Sequence, residues 1–168
     1  MKSSRAIYSR RFKMPRSWVA IDKMKYKKDS LSFTFAILGL IANLVYFFSL
    51  YKNNNNFFYT LLMGISVIYN LVFMLVVFLA AEEVKAYRRN YSYVLFAISL
   101  IQIVRIFIYP RLALEAEVIS EGVHRNLVIW LIVSGVFLLL SAVKSFWSST
   151  VLKLYLEGKI KFPETDEV

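Results

Sequence analysis

Four long apolar runs alternate with short polar connections along the chain: Leu31 to Tyr51, Phe57 to Ala81, Tyr91 to Tyr109 and Leu127 to about Trp147. Each is close to the roughly 20 residues that a helix rising about 1.5 Å per residue needs to cross a hydrocarbon core. In lipid every backbone N–H and C=O must find a partner inside the protein, which restricts spanning segments to helices or closed barrels. Barrel strands alternate apolar and polar positions, whereas Leu71 to Leu79 is apolar without interruption. The pattern therefore predicts an all-α, polytopic integral membrane protein with four transmembrane helices.

The polar segments between the runs supply their boundaries. Asp29 or Ser30 reads as the N-cap of the first span, and Pro110, directly after Tyr109, as the stop of the third. Residues 1–30 read as a basic arm carrying a short interfacial helix from about Ser17 to Lys28. Residues 31–147 read as the membrane domain, and 148–168 as an amphipathic cytoplasmic helix, ended by Gly158 and Pro163, with an acidic tail. The first run is too long for a signal-peptide core, and Tyr51-Lys52-Asn53 offers no small-residue cleavage site.

Charge gives the run order a direction. Residues 1–30 hold ten Lys and Arg; Lys85, Arg88 and Arg89 follow in the second connection, and Lys144, Lys153, Lys159 and Lys161 near the C-terminus. The opposite face has Lys52, Arg111 and Arg125 beside Glu115, Glu117 and Glu121. Positively charged loops stay in the cytoplasm, so both termini are expected on the cytoplasmic side of the membrane. Arg10, Arg11, Lys13, Arg16, Trp18, Lys27 and Lys28 are the expected contacts with anionic lipids, each basic residue near such a leaflet being worth on the order of 1 kcal/mol. No folded nucleic-acid recognition module accompanies the basic arm. The chain lacks cysteine, which removes disulfides and thiol chemistry.

Chemistry inside the spans is sparse. Ser32, Ala36, Gly39 and Asn43 form a stripe along the first span, of the small-residue kind that lets helices dock closely. Asn43, Gln102, Arg105, Tyr109 and Ser134 are expected to converge in the outer half of the membrane; Ser66 and Asn70 line one side of the second span. Two readings of that polar cluster stay open: a pocket or partner-docking surface in which Arg105 meets an acid or a carbonyl, or an Arg105 that snorkels outward while the amides bond neighbouring helices. Glu117, Glu121 and His124 share a side if their segment is helical, yet one imidazole without cysteine is a poor metal site. No cofactor is implied. The spans contain no Asp or Glu for proton coupling, no HExxH and no phosphate-binding glycine loop.

The stretch from Thr60 through Phe73 to Arg89, with Ile101-Gln-Ile-Val-Arg-Ile-Phe-Ile-Tyr-Pro110, resembles small, uncharacterised four-span bacterial proteins associated with carbohydrate ABC importers. The resemblance covers the middle third and implies a transporter partner without a mechanism. The expectation is a non-catalytic accessory subunit packing against a larger integral membrane protein, a transporter permease. The alternative is a homo-oligomeric small channel or holin-like pore, which would need a polar face along a whole span.

Overall fold

In a computed structural model of the chain, residues 21, 24, 26–50, 57–115 and 117–158 are described. The described part is all-helical: α1 (Ser30–Leu50), α2 (Phe57–Lys85), α3 (Arg89–Glu115) and α4 (Glu121–Leu156). All four are long and apolar enough to cross a membrane, and the chain is a multi-pass helical membrane protein by architecture. Arg10, Arg11, Lys13, Arg16 and Trp18, most of the expected interfacial helix and the acidic tail lie outside the described residues. Lys27 and Lys28 are exposed, while Ile21 is buried.

The bundle is organised around α4, against which α1 and α3 pack most extensively; α2 lies against α1 and α3. One buried cluster joins Ala36, Phe73, Val77, Val84, Leu95 and Leu138; a second, nearer the opposite end, joins Tyr46, Leu50, Met63, Tyr109, Leu127 and Leu131. Outward faces carry Phe48, Ile65, Ile68, Leu71, Phe107 and Trp147, all more than half exposed. An apolar exterior suits lipid as the surrounding solvent.

Asp29 caps α1 as the sequence suggests. Its Oδ1 accepts from the Ser32 backbone N–H at 3.2 Å, its Oδ2 from the Ser32 hydroxyl at 2.7 Å, and its own N–H donates to the Lys85 carbonyl at 2.9 Å. This places the start of α1 and the end of α2 at one end of the bundle. That end also holds Arg88, Arg89 and Lys144.

Several boundaries differ from expectation, among them the start of α4 at Glu121, six residues before Leu127 and with Gly122 inside the helix. α3 does not stop at Tyr109 but continues through Pro110 to Glu115. A proline inside a helix removes one N–H donor, and here the buried Pro110 and the Ala113 that follows pack into the bundle, which outweighs that single loss. α2 runs four residues past Ala81, with Ala80, Ala81 and Val84 buried. α4 is continuous to Leu156, so no separate cytoplasmic helix begins at Ser148. Ser148, Ser149 and Val151 are buried, and packing extends the helix beyond its lipid-length run.

The α2 and α3 C-termini close in the same way without glycine. Arg88 N–H reaches Glu83 O at 3.3 Å and Tyr87 N–H reaches Val84 O at 3.0 Å; Val118 and Glu117 repeat the pattern onto Ala113 and Leu114. In this Schellman arrangement the C′ residue is left-handed, and Tyr87 and Glu117 have φ of 60° and 54°.

Candidate functional site

The small-residue stripe of α1 is buried against its own chain. Serines on α4 donate to α1 backbone carbonyls one heptad apart: Ser141 Oγ to Ser32 O at 2.6 Å and Ser134 Oγ to Gly39 O at 2.8 Å. Such bonds need close helix approach, and the absent Gly39 side chain permits it. A Cβ there would lie 2.8 Å from Leu138 Cγ and 3.1 Å from Ser134 O. Ser32, Ala36, Gly39 and Asn43 are all buried, so the stripe does not offer a docking face to another protein. One turn further along the same side of α4, Ser92 and Ser145 meet hydroxyl to hydroxyl at 2.7 Å, tying α3 to that helix.

Further along, four helices contribute to one polar cluster. Gln102 Nε2 donates to Asn43 Oδ1 at 2.7 Å and to Ser134 Oγ at 3.3 Å. Asn43 Nδ2 donates to Asn70 Oδ1 at 3.1 Å, and Asn70 Nδ2 donates back along α2 to Ser66 O at 2.7 Å. Into this network Arg105 extends its guanidinium. Nη1 donates to Asn70 Oδ1 at 3.1 Å and to Asn43 Oδ1 at 3.5 Å, and Nη2 to Ser66 Oγ at 3.4 Å. Its Cζ lies over the rings of Tyr46 and Tyr69 at 4.7 and 4.5 Å.

Arg105 is thus not snorkelling; it is 8% exposed and turned inward. Its partners are neutral amide and hydroxyl oxygens and two aromatic faces, each of which attracts a cation. No carboxylate joins it among the described residues. Gln102 is fully buried, and its Oε1 has no hydrogen-bond partner among them.

The expected five residues do not all meet. Asn43, Gln102, Arg105 and Ser134 do, whereas Tyr109 lies one turn beyond Arg105 and donates to Met63 Sδ at 3.1 Å in the neighbouring apolar cluster. At that level α2 presents Met63 and not an amide, so Tyr109 joins the apolar cluster. With α3 reaching Glu115, Arg105 is ten residues, or about 15 Å along the helix, from that end. The sequence puts Ser66 and Asn70 on one side of α2 but carries no sign that they face Arg105, nor that Tyr46 and Tyr69 flank it. The i, i+4 spacing of Ser66 and Asn70 was the available signal, since it puts two polar groups on one side of an otherwise apolar helix.

A second polar feature lies at the basic end. Lys144 Nζ is 2.6 Å from Asp29 Oδ1, with the carboxylate buried. Burial pushes the Asp29 carboxyl up, but the hydrogen bond from Lys144, the two from Ser32 and the Lys144 charge together outweigh it and hold the group below its ordinary 3.8. Beside it a cavity of about 250 Å³ is lined by Met24, Lys27, Lys28, Asp29, Ser30, Leu31 and Tyr87.

Glu117 stands in the turn after α3, and Glu121 and His124 in the first turn of α4. No group of three metal-ligating side chains occurs among the described residues. Comparison with known proteins adds no family: no protein-family model, curated protein or solved structure matches this chain.

Proposed function

We propose that this chain is a non-catalytic accessory subunit of a larger membrane assembly, a bacterial transporter of the carbohydrate ABC type, with both termini on the cytoplasmic side. The observation that carries this reading is the inward-turned interior. Ser134, Ser141, Asn43, Asn70 and Gln102 bond the four helices to one another, so the polar groups serve cohesion. What the bundle presents outward through the membrane is apolar surface, suited to packing beside another membrane protein. The orientation rests on the basic end formed by Lys27, Lys28, Lys85, Arg88, Arg89 and Lys144. Lys27 and Lys28 are exposed there to meet anionic lipid headgroups.

The homo-oligomeric pore is the weaker reading. A lumen requires a polar face left for water, and here the polar faces of α1 and α4 are turned onto each other. Affinity purification of the tagged chain in mild detergent, followed by mass spectrometry, tests the proposal. A larger multi-span protein is expected in near-stoichiometric yield. Recovery as a lone 19.6 kDa chain, or leakage of liposomes containing only this protein, would count against it.

A further inference from the structure

Arg105 is a cation deep in the bundle whose neighbours are all neutral. Its guanidinium carries five N–H donors, and the described acceptors engage only Nη1 and Nη2. No described residue accepts from Nε. Amide dipoles and tyrosine faces lower the cost of holding this charge away from water, yet they leave its sign unmatched, and intramembrane charges pair with one of opposite sign or with backbone carbonyls.

Among its described residues a second copy of the chain offers no acid at that level. Of its eleven acids, Asp22 and Asp29 precede α1, Glu82 and Glu83 lie in the last turn of α2, Glu115, Glu117 and Glu121 flank the α3–α4 connection, and the other four follow Leu156. None of the described ones lies at the level of Arg105, about 15 Å along α3 from Glu115. A dissolved anion would have to traverse that length from water, whereas a carboxylate carried on another spanning helix already lies at that depth.

We propose that Arg105 is the recognition point for an aspartate or glutamate in the middle of a transmembrane helix of a different protein. That helix approaches from lipid along the seam of α2 and α3, the least extensively packed of the neighbouring helix pairs, and its carboxylate takes the free Nε edge of the guanidinium. This deepens the accessory-subunit reading and rests on it: it gives the partner a chemical signature and explains why Asn43, Asn70 and Ser66 hold the side chain in place instead of letting it snorkel.

The test reconstitutes the purified full chain in phosphatidylcholine liposomes at pH 8 with polyleucine spanning peptides of about 22 residues. The peptides carry one central Glu or one central Gln, and association is read by energy transfer between labels. The Glu peptide is expected to bind about ten-fold more tightly than the Gln peptide, in line with a charge-assisted hydrogen bond. Arg105→Gln is expected to abolish the preference and Arg105→Lys to keep part of it. Equal binding of the two peptides by the wild-type chain overturns the proposal, and this comparison decides even if the variants fail to fold. A preference that survives in Arg105→Gln overturns it as well. A thermal stabilisation by sodium acetate or chloride without peptide, lost in Arg105→Gln, assigns the charge to a free anion and overturns the protein partner. If a larger protein co-purifies from cells while the peptides bind equally, the subunit reading stands and the carboxylate pairing falls.

Discussion

Replacing Gly39 with alanine perturbs the bundle by one methyl group at its tightest point. The added Cβ would sit 2.8 Å from Leu138 Cγ, 3.0 Å from Leu138 Cδ2 and 3.1 Å from Ser134 O, where carbon atoms prefer about 3.5–4.0 Å. Leu138 can yield in part, because it is a side chain. The Ser134 carbonyl belongs to the α4 backbone and cannot, so α1 and α4 must part by several tenths of an ångström. Overpacking of this kind costs about 1–3 kcal/mol. Separation also stretches the 2.8 and 2.6 Å serine bonds, each worth roughly 0.6 kcal/mol in membrane proteins. A loss of about 2–4 kcal/mol is expected from these terms together. Gly64 provides the control, since a Cβ there meets nothing within 4 Å. The assay is the folded fraction against sodium dodecyl sulfate in mixed micelles, for Gly39→Ala, Gly64→Ala, Leu138→Ala and the Gly39→Ala/Leu138→Ala pair. The pair should be less destabilised than the sum of its singles by about 1 kcal/mol or more, because both changes act on one contact. Equal effects of Gly39→Ala and Gly64→Ala, or strict additivity of the pair, would refute the reasoning.

Other expectations follow from single contacts. Lys144→Met should destabilise the fold at neutral pH, and the difference from wild type should shrink in acid. The Asp29 carboxyl titrates lower in the folded chain than its ordinary 3.8, so the pair's contribution is complete above that value and disappears as pH falls through the folded one; a difference that persists unchanged at pH 3 contradicts the pairing. Arg105→Lys should cost about 2 kcal/mol in the same unfolding assay, because a single ammonium cannot reach the amides and Ser66 while lying over two tyrosine rings. Glu117→Gly should raise stability by about 0.5–1 kcal/mol, since the left-handed backbone there, φ 54°, strains a residue with a Cβ.

The helices and their number were legible because lipid imposes a length and forbids unpaired backbone, a constraint that acts on each run separately. Their ends were less so. Pro110 is a stop signal by local chemistry, and only the burial of Pro110 and Ala113 against the rest of the bundle shows why α3 passes through it. Tyr87 and Glu117 close helices in a conformation that glycine usually marks, so the sequence carried no sign of those turns. The polar cluster was half visible. Asn43, Gln102, Arg105 and Ser134 were placed together from direction and depth alone, but which side of α2 faces them depends on helix rotation, and that is set by packing of Phe73, Val77 and Val84. The α1 stripe was recognised as a docking surface, and its partner proved to be α4 of the same chain.

The bundle is held by serine faces turned onto one another within one chain. Ser92→Cys/Ser145→Cys tests this directly, because the two hydroxyls are 2.7 Å apart and the native sequence has no cysteine to interfere. Oxidation in isolated membranes should give an intramolecular disulfide, with the chain still migrating as a monomer and α3 joined to α4. Disulfide-linked dimers, or two thiols that remain free, would contradict it.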